Sequence, residues 1–256
     1  ALTKEDKSPV TVADYAIQAL IGCLLQKELP GSVLVAEEGS AALREPDAEP
    51  LMTRVAGFVG RRLAYTTPGT VCAWIDYGAA TPTKRFWTLD PIDGTKGFLR
   101  GDQYATALAL IEDGQVQIGV LGCPNLSEAQ RPDVGGKGSL VVAVRGQGTW
   151  AGPLLEEGEF RPLRVSEIHD PAQARLLRSF ESGHTNVDQM GQVREALGAR
   201  AEPVLMDSQA KYAVLAAGGG DLLLRLLSPK QPDYRETIWD QAAGSIVVEE
   251  AGGRIT

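Results

Sequence analysis

Two carboxylates three residues apart stand in the stretch Trp87-Thr88-Leu89-Asp90-Pro91-Ile92-Asp93-Gly94-Thr95-Lys96-Gly97-Phe98. Hard divalent cations such as Mg²⁺ take oxygen ligands, and a tight turn here can aim the Asp90 carboxylate, the Ile92 carbonyl and the Asp93 carboxylate at one region of space. If Gly94 and Thr95 open a helix, their free N–H groups face any phosphate that such a cation holds. The commoner fate of Asp-Pro-Ile-Asp-Gly is an ordinary surface turn with a helix cap. Its company argues for chemistry: Asp14 follows Val10-Thr11, Glu37-Glu38 close an earlier apolar run, and Asp240 lies in Trp239-Asp240-Gln241-Ala242-Ala243-Gly244. Taken singly, Asp14 and Asp240 read equally well as acids at helix N-termini, where the helix dipole stabilises them.

The elements that position these acids alternate along the chain. Apolar residues at three- and four-residue steps (Val12, Tyr15, Ala16, Ala19, Leu20, Cys23, Leu24) predict an amphipathic helix over residues 12–29, stopped by Pro30-Gly31. A buried strand is expected over 32–36, a surface loop over 39–50 and a second helix over 52–63. Residues 71–76 and 86–89 read as short apolar strands. Residues 104–111 and 116–122 flank Glu112-Asp113-Gly114-Gln115, a strong hairpin signal. A polar loop over 124–138, a strand over 139–144 and a turn at 145–148 follow. Beyond residue 160 the pattern predicts a strand over 175–180, helices over 187–197 and 208–217, a strand over 222–227 and a helix over 237–251. This alternation favours stacked α and β layers. A stretch punctuated by Pro153, Pro162 and Pro171 places a subdomain boundary near residue 160. The expected division is 1–160, an α+β part carrying the metal-binding acids, and 161–256, an α/β part supplying most of the substrate contacts.

With 25 Lys and Arg against 33 Asp and Glu, the net charge of −8 argues against nucleic acid and anionic membrane as partners. A small phosphorylated substrate stays compatible, because one bound cation reverses the field inside a cleft. Cys23, Cys72 and Cys123 form no metal-binding spacing and read as reduced thiols. No apolar run reaches the length of a membrane span, and no signal peptide precedes the first helix. A soluble intracellular protein is expected, in the cytoplasm or an organelle such as chloroplast or mitochondrion. The ends need not be natural termini.

The Glu37-Glu38 pair, the Asp90–Thr95 block and the Trp239–Gly244 block together resemble the signatures of the inositol monophosphatase superfamily, in the family's order and across almost the whole chain. Ala36 stands where many members have glycine. The resemblance implies an α/β fold layered α-β-α-β-α, with mixed and antiparallel sheets. It implies that Glu37, Asp90, the Ile92 carbonyl, Asp93 and Asp240 bind two or three Mg²⁺ ions, while Thr95 and Asp14 polarise the attacking water. It also implies inhibition by lithium.

Within the superfamily, three blocks look like the branch that acts on nucleotide bisphosphates, as found in plants and yeast. They are Ser8–Tyr15, Gly94–Gly101 and Gly122–Leu126. The resemblance implies release of the 3'-phosphate of 3'-phosphoadenosine 5'-phosphate, giving AMP, with the 5'-phosphosulfate analogue as a further substrate. His184, Ser208, Lys211 and Arg225 then hold the nucleotide, with Gly94, Thr95 and Asp240 bordering the scissile phosphate. Ser208 and Lys211, three apart, are expected on one helix face, and Arg225 on the next strand offers a forked donor. An inositol polyphosphate 1-phosphatase shares the metal core, and a nucleotide sensor without catalysis is the alternative from outside enzymology. Spacing does not choose between monomer and homodimer.

Overall fold

The computed structural model describes residues 2–3, 9–180, 187–227 and 233–256. A hairpin of β1 (Leu2–Thr3) and β2 (Pro9–Val10) leads into α1 (Val12–Glu28), then β3 (Leu34–Ala36), α2 (Glu49–Gly60) and α3 (Pro68–Asp76). Next come β4 (Arg85–Asp93), α4 (Thr95–Arg100), β5 (Ala105–Glu112) and β6 (Gln115–Cys123). A second hairpin, β7 (Leu126–Ser127) with β8 (Arg131–Pro132), precedes β9 (Ser139–Val144), β10 (Gly148–Pro153) and β11 (Arg161–Pro162). The remainder comprises β12 (Leu176–Arg178), α5 (Val187–Leu197), β13 (Val204–Leu205), α6 (Ala210–Ala216), β14 (Leu222–Leu223) and α7 (Ala242–Glu250).

The main sheet runs β11-β10-β9-β6-β5-β4-β3, antiparallel except for the parallel β3–β4 pair, and a smaller parallel sheet runs β13-β12-β14. Helices α1, α2 and α3 share one core through Ala19, Val55 and Ile75, and Leu25 of α1 packs with Leu34 and Leu89 on the sheet. On the other sheet face Ala105, Ala107, Ala109 and Ile111 alternate inward, with period two, against α6 and α7. That core continues to Leu177 of the small sheet, whose far side packs Leu176 against Met190 of α5. The layers are therefore α-β-α-β-α. Small residues are needed where α7 crosses: a Cβ on Gly119 would lie 2.4 Å from Ile246, and one on Gly244 would lie 2.4 Å from the Tyr212 ring.

Several elements differ from the sequence expectation for local reasons. The run at 71–76 is not a strand but the later part of α3. Thr67 caps that helix with its hydroxyl and with Thr70, Pro68 occupies its first turn, and Val71, Cys72 and Ile75 form its buried face. The strand expected at 86–89 continues to Asp93. The helix expected from 208 begins at Ala210, the strand at 222–227 shortens to two residues, and the helix at 237–251 divides into a 3-10 turn, Ile238–Asp240, and α7. The Asp113-Gly114 turn forms as expected, with φ of 47° and 80° at the two residues.

Candidate active site

In a regular strand Asp90 and Asp93 would point to opposite faces. Here Asp90 pairs with Ala107 and Asp93 with Ala105, so Pro91 and Ile92 together oppose the single residue Thr106 and one residue is looped out. This bulge brings both carboxylates to the face shared by Ala105 and Ala107. Pro91 suits the position because it has no ladder N–H to lose, and its carbonyl accepts instead from Thr106 Oγ1 at 2.8 Å. Gly94 then turns the chain with φ of 84°, opening α4, and the Thr95 hydroxyl donates to the Ile92 carbonyl at 3.1 Å.

Parallel pairing of Ala36 with Leu89 sets Glu37 beside Asp90, and the Glu37 N–H donates to Leu89 O at 3.2 Å. Gln18, wholly buried on α1, fixes this corner. Its Nε2 donates to Glu38 O (2.6 Å) and Ile75 O (2.9 Å), and its Oε1 accepts from Glu38 N (2.9 Å). One helical turn earlier lies Asp14, also buried, whose Oδ2 accepts from Thr11 N (2.7 Å) and Thr11 Oγ1 (2.6 Å). Burial raises the Asp14 carboxyl to about 6 against the pull of the Thr11 bonds, and nearby Glu37 adds to the rise. Asp240 repeats the device: its Oδ2 accepts from Thr237 N (2.8 Å) and Thr237 Oγ1 (2.6 Å). Asp14 and Asp240 are thus helix-capping acids and members of the acidic group at once.

At the centre Asp90 is 3% exposed, and its Oδ1 has no hydrogen-bond partner. Burial, followed by the charges of Asp93, Glu37 and Asp240, drives its carboxyl well above the usual range. Burial likewise raises Asp93 to about 6, opposed by the Lys211 ammonium and the Gln209 N–H and reinforced by Asp240. Four acids around one orphaned, buried carboxylate oxygen fit a divalent cation, and an all-oxygen donor set suits Mg²⁺ or Ca²⁺ over zinc. Among the described residues no three acids converge on a single point as they stand. Holding a cation therefore requires their side chains to turn inward.

The substrate-side residues sit across from this cluster. A Cβ on Gly94 would lie 2.8 Å from Ser208 Cβ, and one on Gly97 would lie 3.3 Å from Asp207 Cβ, so the 207–208 segment rests directly on the Gly94 turn and α4. Ser208 is not on the α6 face expected for it; it precedes the helix with φ of 65°, and its Oγ accepts from Ala210 N at 3.2 Å. Lys211 is 5% exposed and donates to Ser179 Oγ at 3.1 Å. Burial lowers its ammonium to about 8, Asp93 opposes the fall, and Arg225 adds to it. Arg225 lies two residues past β14 instead of on a strand, and it forms an ion pair with Glu236. It still acts electrostatically on Asp93 and Lys211. His184 lies outside the described residues.

The structure thus brings together Asp14, Glu37, Asp90, Ile92, Asp93, Thr95 and Asp240, with Ser208, Lys211 and Arg225 beside them. Sequence reasoning missed Gln18 and Gln209. The signal for Gln18 was a polar side chain on the otherwise apolar face of α1, four residues after Asp14. Asp207 was also missed: it pairs with Arg100 of α4 and accepts from Phe180 N at 3.2 Å.

Comparison with known proteins places the chain in a family. The model of the inositol monophosphatase family matches residues 1–256. A 3'(2'),5'-bisphosphate nucleotidase of Oryza sativa is 43% identical over 99% of this chain and 75% of its own length. An Arabidopsis thaliana 3'(2'),5'-bisphosphate nucleotidase 1 is 42% identical over 98% and 75%. A solved IMPase/NADP phosphatase complexed with Mg²⁺ and phosphate, 18% identical, shares the fold with a TM-score of 0.61 over 98% of this chain and 72% of its own. The bulged Asp90–Asp93 strand end, the Glu37 corner and the Asp240 cap therefore lie in a chain that belongs to the inositol monophosphatase family.

Proposed function

We propose that the protein is a divalent-metal-dependent phosphomonoesterase that removes the 3'-phosphate of 3'-phosphoadenosine 5'-phosphate, giving AMP and phosphate. One observation carries the reading: the acid cluster around Asp90 lies beside a buried cation, Lys211, which supports a substrate carrying two phosphates, one for the metal side and one for the lysine. The substrate class follows the bisphosphate nucleotidases to which the chain is most alike among the relatives compared above.

Glu37, Asp90, the Ile92 carbonyl, Asp93 and Asp240 would hold the cations. When bound, such ions offset phosphoryl charge and acidify water. Thr95 gives its hydroxyl hydrogen to the Ile92 carbonyl, which leaves its lone pairs to accept from the attacking water. Asp14 keeps one oxygen on Thr11 and acts with Thr95 to orient that water and take its proton. Lys211 holds the uncleaved 5'-phosphate, whose negative charge favours the protonated amine. Arg225 joins it by sharing its guanidinium between the phosphate and Glu236. This assigns water activation mainly to residues before 160 and substrate binding mainly to those after it.

The test is phosphate release from 3'-phosphoadenosine 5'-phosphate and from inositol 1,4-bisphosphate, each with Mg²⁺ and with chelator. Chelator-sensitive release with strong preference for the nucleotide is expected. Preference for the inositol would keep the metal chemistry and overturn the substrate.

A further inference from the structure

Gln209 is 2% exposed, and its side-chain amide is used at both ends by a distant part of the chain. Nε2 donates to Trp239 O at 2.9 Å, and Oε1 accepts from Gly244 N at 3.0 Å. Its backbone N–H meanwhile donates to Asp93 Oδ2 at 2.5 Å. Left-handed Ser208, lying against the Gly94 turn, sets the direction of that N–H. A residue of the substrate-binding segment therefore touches one acid of the cluster directly and grips the peptide next to another, Asp240.

We infer that Gln209 is a positioning residue for the acid cluster, tying the bulged end of β4 to the turn that carries Asp240; the inference rests on the phosphatase reading above. The chemistry of the amide is specific. Trp239 O needs a donor and Gly244 N needs an acceptor, so an ionised carboxylate can serve only one of them and an apolar side chain serves neither. Without these two bonds the Trp239–Asp240 turn and the first turn of α7 lose their direct hydrogen bonds to the residue whose N–H holds Asp93, and the Tyr212–Gln241 bond still joins α6 to that turn. Groups that orient metal ligands from behind change metal affinity by about 10- to 100-fold when removed.

The experiment compares wild type, Gln209→Met and Gln209→Asn. Mn²⁺ binding to the metal-free protein is followed by the EPR signal of the free ion, alongside thermal unfolding and kcat and KM for 3'-phosphoadenosine 5'-phosphate across Mg²⁺ concentrations. Gln209→Met is expected to weaken Mn²⁺ binding about tenfold and to shift Mg²⁺ activation equally, with KM for the nucleotide changed less than twofold. Gln209→Asn keeps the amide but falls one methylene short, so an intermediate loss is expected, and it carries the test if the Met variant does not fold. Lower thermal stability with unchanged Mn²⁺ affinity in both folded variants would reduce Gln209 to a packing role and overturn the inference alone. A wild type that neither binds Mn²⁺ nor releases phosphate would overturn the phosphatase reading and the inference together.

Discussion

Asp90 is asked to carry charge where it is buried, beside three other acids, with one oxygen lacking a hydrogen-bond donor. An acid whose folded-state pKa is raised contributes stability that is present at low pH and lost as pH rises through that pKa. For Asp93, raised to about 6, the loss falls between about pH 4 and pH 7. In chelator, the unfolding temperature contributed by this cluster should fall across that window, and Mg²⁺ should restore it. Asp90→Asn should raise the metal-free unfolding temperature by about 3 °C while lowering turnover by roughly a thousandfold, as expected for losing a group that holds transition-state charge. Near-wild-type turnover in that variant would remove Asp90 from the site. Lys211→Met should raise KM for the nucleotide by roughly tenfold or more, the worth of a charge-assisted hydrogen bond, with kcat much less affected. The acids themselves were legible from residue type and order. Gln18 and Gln209 were not, because each acts through partners 20 to 116 residues away whose proximity no local pattern encodes.

At the scale of elements, the β4 bulge converts a spacing that separates two side chains into one that unites them. The sequence showed Pro between the acids, and a tight turn was the natural expectation; pairing with β5 makes it a strand end instead. Helix α3 was misread because Val71, Cys72 and Ile75 form a short apolar run compatible with either period, although Thr67-Pro68 and Thr70 carried the capping signal. Close approach of the Gln103 carbonyl to α4 leaves no room for a side chain at Gly97: its Cβ would meet that oxygen at 2.3 Å. Gly97→Ala should cost about 2 kcal/mol, read by denaturant unfolding. Just before β14, Asp221 accepts from the N–H of Arg175, the residue preceding β12 (2.7 Å), from its guanidinium (2.9 Å) and from Ser166 Oγ. Burial pushes this carboxyl up, but the Arg175 and Ser166 bonds outweigh it and hold it below the usual range. Its contribution is present above the unfolded pKa and lost as pH falls through the folded one. Asp221→Asn should therefore destabilise at pH 7 by about 2 kcal/mol, with the difference from wild type shrinking as pH falls below the ordinary aspartate range.

For the molecule as a whole, the α-β-α-β-α order follows from which faces are apolar. The alanine-rich face of β5 and the small residues of α7 let a helix from late in the chain lie close on a sheet from its first part. Asp240, just before α7, is carried by that packing to the acids of β3 and β4. The alternation of elements made layers legible, but not which helix fills the middle layer, since that depends on contacts between distant segments. Among the described residues no helix is long and apolar enough to cross a membrane.

The metal site at the β4 bulge is tested most directly by the anomalous scattering of Mn²⁺ in crystals of this protein grown with AMP and phosphate. Mn²⁺ peaks are expected within coordination distance of Glu37, Asp90, the Ile92 carbonyl, Asp93 and Asp240, with the AMP phosphate on Lys211. Peaks confined to other surfaces, with the β4 bulge empty, would contradict that site.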